Sequence, residues 1–188
     1  NLLRIAKNAA SLLLADTTAR LASFILTTVI VRRLPTADYG TFNTILSFLA
    51  VGGLVAEFGL STVLVREVAQ QKDRSSELLS GAILIAAPLA IVASGGSVIA
   101  AIAFGYPPVF CLLLAVSTGA IAANTAVLLA GAVLRAFERM GTLSLINCSL
   151  VVGSTIVGII WLQHGAGLHE LIVLQVAAPA ITALLLFI

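Results

Sequence analysis

Hydrophobic residues run along this chain in long blocks, separated by short stretches that hold most of its charge. A helix needs about 20 apolar residues, at about 1.5 Å rise each, to cross a bilayer. Six blocks meet that length. The first covers residues 8–31 and is stopped by Arg32-Arg33-Leu34-Pro35, since proline cannot continue a helix. The second covers 41–65 and the third 78–104, with the hydrophilic stretch 66–77 between them. Gly105-Tyr106-Pro107-Pro108 then turns the chain into the fourth, 109–134. Residues 135–141 lead to the fifth block, 142–163, and His164-Gly165-Ala166-Gly167 precedes the sixth, 168–188. From Leu78 to Leu134 there is no Asp, Glu, Lys or Arg. A soluble domain of this size could not bury so long a neutral apolar run, so lipid must cover much of it. The pattern predicts an all-α, polytopic membrane protein of about six transmembrane helices. The first block is too long and too polar for a cleaved leader and reads as a permanent span. The chain starts at Asn1 and stops inside an apolar run, which reads as a piece of a longer protein.

Polar positions inside the blocks recur at helical spacing. Asp16, Arg20, Ser23 and Thr27 fall on one face of the first helix, a face expected to avoid lipid. Asn43, Ser47, Glu57 and Ser61 mark the second helix, Ser117, Asn124 and Arg135 the fourth, and Asn147 and Ser154 the fifth. Ionisable groups are costly in a bilayer, so they face the bundle interior or a wet cavity and find partners there. Asp16 and Glu57 each lie about eight residues, or about 12 Å, from the cytoplasmic end of their helices, with Arg20 nearer the midplane. The three are expected to form one interhelical cluster, in which the guanidinium pairs with a carboxylate or holds a phosphate bidentately. The plainer reading is an ion-paired network that fixes how helices pack, and it suits Glu57 best. Asn43, Asn124 and Asn147 either line a cavity or join helices by modest hydrogen bonds. Gly52-Gly53, Pro88 and Ser94-Gly95-Gly96 either permit bending or allow close packing.

Composition agrees: 60% of residues are hydrophobic, 10% are charged, and mean hydropathy is +1.15. A net charge of +2 with scattered basic residues does not suit a nucleic-acid surface. With the N-terminus in the cytoplasm, the inner segments hold Arg4, Lys7, Arg66, Lys72, Arg74, Arg135 and Arg139, and the outer turns only Arg32 and Arg33. The positive-inside rule favours that orientation. Cys111 and Cys148 lie in apolar segments and imply no pairing. His164 and His169 make no metal-ligand pattern, and Asn147-Cys148-Ser149 is a sequon inside a span, where no glycan can be attached. No nucleophile elbow, phosphate loop or nucleotide fingerprint is present, so neither enzyme activity nor a bound cofactor is expected.

Val31-Arg32-Arg33-Leu34-Pro35-Thr36-Ala37-Asp38-Tyr39-Gly40, following Ala6-Lys7-Asn8 and the first long helix, resembles the N-terminal region of Wzx-type polysaccharide flippases. Glu57-Phe58-Gly59-Leu60-Ser61-Thr62-Val63-Leu64-Val65-Arg66-Glu67 is similar to that family's glycine-leucine to arginine segment at the cytoplasmic boundary. Leu134-Arg135-Ala136-Phe137-Glu138-Arg139-Met140 is similar to its basic link between the fourth and fifth helices. The resemblance extends through about Leu150 and belongs to the multidrug, oligosaccharidyl-lipid and polysaccharide exporter superfamily.

That resemblance implies two helical lobes around a central cavity that opens alternately to each side, with this chain as the N-terminal lobe, related in fold to multidrug-and-toxin exporters. It implies movement of an undecaprenyl-diphosphate-linked oligosaccharide across the bacterial cytoplasmic membrane for polysaccharide or O-antigen assembly, beside the polymerase and glycosyltransferase machinery. On this sequence Arg20 fits an arginine within the cavity, accompanied by Asp16, Glu57, Asn43 and Asn124, while Arg66 and Arg135 stand at its cytoplasmic mouth. Asp16 or Glu57 is the candidate for coupling a proton or sodium ion, because a buried carboxylate changes protonation as water access alternates. Two rivals remain. A cation-coupled drug or small-molecule antiporter of the same superfamily would prefer carboxylates and aromatics in its cavity. A non-transporting scaffold would use the polar stripes only as helix-helix adhesive.

Overall fold

The computed structural model describes residues 2–138 and 140–187. Among them are eight α-helices: α1 (Leu2–Arg33), α2 (Thr36–Glu57), α3 (Leu60–Gln70), α4 (Ser75–Ala103), α5 (Pro108–Ser117), α6 (Gly119–Ala136), α7 (Met140–Gln163) and α8 (Leu168–Phe187). No strand occurs among the described residues. Short turns reverse the chain between neighbours, while α2 with α3, and α5 with α6, each form one interrupted span. The result is a bundle of six long helical segments, the all-α membrane fold expected from hydropathy.

Local sequence explains where the helices stop. At Leu34-Pro35 the chain leaves α1, and Pro35 (φ −55°, ψ 146°) precedes the first turn of α2, a place where its missing N–H costs nothing. Gly105 (φ 76°) and Gly165 (φ 88°) take the left-handed backbone needed to leave α4 and α7. Before α8, the Glu170 carboxylate accepts a 2.8 Å hydrogen bond from the Gly167 N–H, satisfying a donor that the helix leaves open. The break between α2 and α3 is sharper. Phe58 (φ 40°) and Gly59 (φ 77°) are consecutive left-handed residues, and only glycine accepts that conformation without strain. The α5–α6 break is milder, because Thr118 keeps a right-handed backbone and its hydroxyl bonds the Ala115 carbonyl at 2.7 Å.

Among the described residues, five runs are long and apolar enough to cross a bilayer: Thr36–Gln70, Lys72–Ala103, Pro108–Ala136, Leu143–Gln163 and Leu168–Leu186. The 32 residues of α1 extend over about 48 Å at 1.5 Å each. Val51, Leu54, Leu84, Ile91 and Ile99 are all largely exposed on the bundle surface, an outcome water would penalise and lipid does not. The chain is therefore a multi-pass membrane protein.

Helices in lipid gain little from hydrophobic burial against one another, so they associate through close backbone approach and dispersion. Ala82, Ala86, Ala90, Ala93, Ser97 and Ala101 form the buried stripe of α4. A methyl at Gly52 would come within 2.7 Å of the Ile121 side chain and 3.2 Å of the Ser97 hydroxyl, so this glycine lets α2, α4 and α6 meet. Gly158 does the same for α1, α7 and α8 against Leu26 and Leu174. Gly53, Gly95 and Gly96 have nothing within 4 Å of such a methyl. Pro88 sits inside an uninterrupted α4.

The helix neighbours are not those of chain order. α1 packs mainly on α7 and barely touches α2, whereas α2 packs on α4 and α6, and α6 on α8. Tyr39, Tyr106 and Trp161 all fall at the end of the bundle that holds the α1–α2, α4–α5 and α7–α8 turns, the placement amphipathic rings take at a membrane interface. Tyr106 stacks on Phe110 at 4.4 Å between ring centroids, with Phe48 edge-on to both. Arg66, Lys72, Arg74 and Arg135 lie at the opposite end. Arg139 lies outside the described residues, as do the side chains of Arg4 and Lys7.

Candidate functional site: a polar cavity wall

On α1, Ala22 and Ile30 are buried toward the bundle, while Asp16, Arg20, Ser23 and Thr27 are exposed along a neighbouring face. That face is covered neither by α7 nor by α2. The Arg20 Nε donates to Asp16 Oδ2 at 2.8 Å, one turn away, and both side chains stay open, at 79% and 60% exposure. This pair uses one of the five guanidinium N–H donors.

Glu57 closes α2 beside the Phe58-Gly59 break. It is half-buried, and the Ser61 hydroxyl, in the first turn of α3, donates to its carboxylate. The bond therefore ties the two halves of the broken span together. The expected cluster of Asp16, Arg20 and Glu57 does not form: the arginine pairs within its own helix and the glutamate with a serine. The physical reason is the docking of α1 on α7, which leaves α1 and α2 with almost no shared surface.

What the fold does bring together is a different set. Glu57 on α2, Asn124 and Leu128 on α6 and Gln175 on α8 line a recess of about 400 Å³. Asn124 and Gln175 also line a second recess of about 250 Å³ with Asn147 and Ser154 on α7 and Thr182 on α8. Because the two recesses share Asn124, Val127 and Gln175, they adjoin, and polar groups from α2, α6, α7 and α8 stand in them among apolar side chains. Their polar groups are a carboxylate, three amides and three hydroxyls, those of Thr125, Ser154 and Thr182, which donate to carbonyls of their own helices; the amides offer hydrogen bonds in both directions to a ligand rich in hydroxyls.

Gln175 and Thr182 were not singled out from the sequence. They lie seven residues apart and so share a face of α8, which is the signal that marks them. Asn43 is exposed on α2 but lines neither recess. Ser47 lies in the separate apolar groove between α2 and α4. Ser117 is fully buried, with its hydroxyl bonded to the Leu113 carbonyl at 2.7 Å, and plays a packing role.

The two arginines expected at the cytoplasmic mouth differ. Arg66 is exposed on α3, whereas Arg135 is half-buried at the end of α6. Among the described residues no three His, Cys, Asp or Glu side chains gather as a metal site, and His164 is a turn residue bonded through Nδ1 to the Ile160 carbonyl at 2.8 Å.

Comparison with known proteins adds one finding. A family model described as polysaccharide biosynthesis protein matches residues 5–188, nearly the whole chain. No curated protein and no solved structure matches it.

Proposed function

The chain belongs to the polysaccharide biosynthesis protein family, the family of Wzx-type flippases, and from that membership we propose that it forms the N-terminal lobe of a lipid-linked oligosaccharide flippase. The substrate is a polyprenyl-diphosphate-linked glycan, which crosses the bacterial cytoplasmic membrane from the inner to the outer leaflet. The N-terminus of the chain is cytoplasmic, and the polymerase and glycosyltransferases of polysaccharide assembly are its working neighbours.

The observation that carries this reading is the pair of joined recesses running from Glu57 through Asn124 and Gln175 to Asn147, Ser154 and Thr182; Arg20 on α1 is exposed and paired with Asp16. A glycan is rich in hydroxyls, which the amides and Glu57 can bond in both directions, while a diphosphate needs a cation. Arg20 supplies that cation with planar, bidentate geometry. Asp16 holds the guanidinium in place and lowers the net charge of the site, so that the anion is released when the lobes rock. The prenyl tail remains in the bilayer throughout. Transporters built of paired lobes carry substrates in this way, around a site near the midplane.

Glu57 is the favoured coupling carboxylate for a proton or sodium ion. It lines the recess, and its bond to Ser61 spans the helix break, so a change in its charge acts where the span can bend. The same acidic group suits a cationic drug, and dye efflux by the purified transporter would favour the antiporter reading instead.

Arg20→Ala is the test. Expression-matched cells carrying it are expected to lose export of the polysaccharide, with Arg20→Lys intermediate because it keeps charge and loses the fork. Normal export by a well-expressed Arg20→Ala variant would sink the role assigned to this residue.

A further inference from the structure

Buried side chains of the described residues gather in two separate clusters. The larger takes in Leu49 and Ala56 of α2, Ala90 and Ala93 of α4 and Ile121 of α6. The smaller holds Leu64 and Val68 of α3, Ala82 and Ala86 of α4, and Leu129 and Ala132 of α6. Three helical runs therefore pass from one core to the other. In the broken span the change falls between Ala56 and Leu60, in α4 between Ala86 and Ala90, and in α6 between Ile121 and Leu129. These three places lie at one height. One recess, of about 140 Å³, sets Ala86, Ala87 and Ala90 against Thr125 and Ala126, and the other sets Leu54 and Glu57 against Asn124, Thr125 and Leu128.

At that height each run carries a feature that weakens it. Phe58 (φ 40°) and Gly59 (φ 77°) break the first. A bulky residue is strained in the left-handed region, and Phe58 is largely exposed, so it gains little packing in return. Pro88 stands between the two cores in α4, where it leaves the Leu84 carbonyl without its helical partner. Thr125 is buried in α6, and its hydroxyl bonds the Ile121 carbonyl at 2.8 Å, a bond that competes with the helical ladder and bends helices. The recess between α4 and α6 removes packing at the same level. Below this seam the small core is tight, with Val68 and Ala132 fully buried.

We propose that α3, residues 75–87 of α4 and residues 126–136 of α6 form one rigid unit at the basic end of the bundle, and that this unit swings about the seam to gate the recess. Leu54 and Glu57 stand on the main-body side of the recess and Leu128 on the side of the unit, so rotation changes the gap between them. The Ser61–Glu57 bond straps the joint and favours the bent arrangement of this structure, in which the recess stands open. This motion lies inside one lobe, in addition to the rocking of lobe against lobe. The joint stands apart from the flippase reading. Only what the gate admits, a lipid-linked glycan, rests on that reading.

The experiment measures distances between spin labels by double electron–electron resonance in the intact transporter in nanodiscs, with Cys111 and Cys148 replaced. One pair, at Val51 and Gln70, crosses the seam; Val31 with Val51 reports on the main body and Gln70 with Leu84 on the unit, all five sites being exposed. The pair across the seam is expected to show two distances and each control pair one. Phe58→Gly removes the strain of the bent backbone and Gly59→Ala adds it, so they should shift the ratio of the two populations in opposite directions, each by about fivefold or more. Thiol labelling of Leu128→Cys should quicken with Phe58→Gly and slow with Gly59→Ala. A single distance across the seam that neither variant displaces overturns the joint, and control distances that move with it overturn the rigid unit. Labelling that ignores a shifted ratio overturns the gate. Should Gly59→Ala fail to fold, Pro88→Ala takes its place: it returns the partner of the Leu84 carbonyl and must narrow the distribution across the seam, and no effect of either Phe58→Gly or Pro88→Ala overturns the proposal. None of these measurements uses a glycan or export, so failure of the Arg20→Ala test leaves them unaffected.

Discussion

Gly52 offers the sharpest test of how this bundle is held together. Replacing it with alanine puts a methyl 2.7 Å from the Ile121 Cδ1 and 3.2 Å from the Ser97 Oγ, whereas carbon atoms rest at about 3.5–4.0 Å. Ile121 is 2% exposed, so its methyl has little room to retreat. The Ser97 hydroxyl is held by a 2.8 Å bond to the Ala93 carbonyl. Overpacking of this kind costs about 1–3 kcal/mol. It is partly offset by the preference of a helix interior for alanine over glycine, about 1 kcal/mol. Gly53, one residue on, has no atom within 4 Å of its added methyl and receives the propensity gain alone. The two variants should therefore differ by about 1–3 kcal/mol, with Gly53→Ala neutral or stabilised. Reversible unfolding by SDS in mixed micelles reads this difference. Ile121→Val removes the clashing Cδ1 at an expected cost of about 0.5–1.5 kcal/mol alone, yet combined with Gly52→Ala it should recover much of the loss. Equal stability of the two alanine variants, or strict additivity in the double variant, would refute the close approach of α2, α4 and α6.

The other predictions concern individual contacts. Gly158→Ala brings a methyl to 2.9 Å from Leu26 and 3.1 Å from Leu174; it should loosen α1 from α7 at a cost of about 1–3 kcal/mol, with Leu26→Ala compensating in the same unfolding assay. Ser61→Ala removes the hydroxyl donor from Glu57 across the α2–α3 break and should cost about 1–3 kcal/mol; a melting temperature equal to wild type would mean that the bond does not hold the two halves. Single cysteines at Asn147, Ser154 and Gln175 should react with a membrane-impermeant thiol reagent once Cys111 and Cys148 are replaced, while Ser117→Cys, at a fully buried position, should stay unlabelled. Fast labelling at Ser117 would show that α5 does not pack as described.

Much of the polar wall was legible within single helices. Asp16 and Arg20, at a spacing of four, pair as helix geometry requires. Asn147 and Ser154, seven apart, share a recess. Contacts between helices were not legible, because spacing along one helix says nothing of which helix lies opposite. Glu57 was expected beside Arg20 and instead faces Asn124 and Gln175. Ser47 and Ser117 read as members of polar stripes, yet one lies in an apolar groove and the other is bonded to its own helix. A hydroxyl can satisfy itself on the carbonyl one turn back, so its presence in an apolar span does not by itself announce a cavity.

Sequence alone determined the solvent of this protein, the number of its spans and the ends at which they turn. Those follow from block length, proline, glycine and the placement of charge, all of which act locally or against the bilayer. Tertiary structure decided which helices are neighbours, which glycines are contact points and how the polar faces join. In lipid those choices turn on shape at the level of single methyl groups, at Gly52 and Gly158, rather than on hydrophobicity, which is nearly uniform within the apolar blocks.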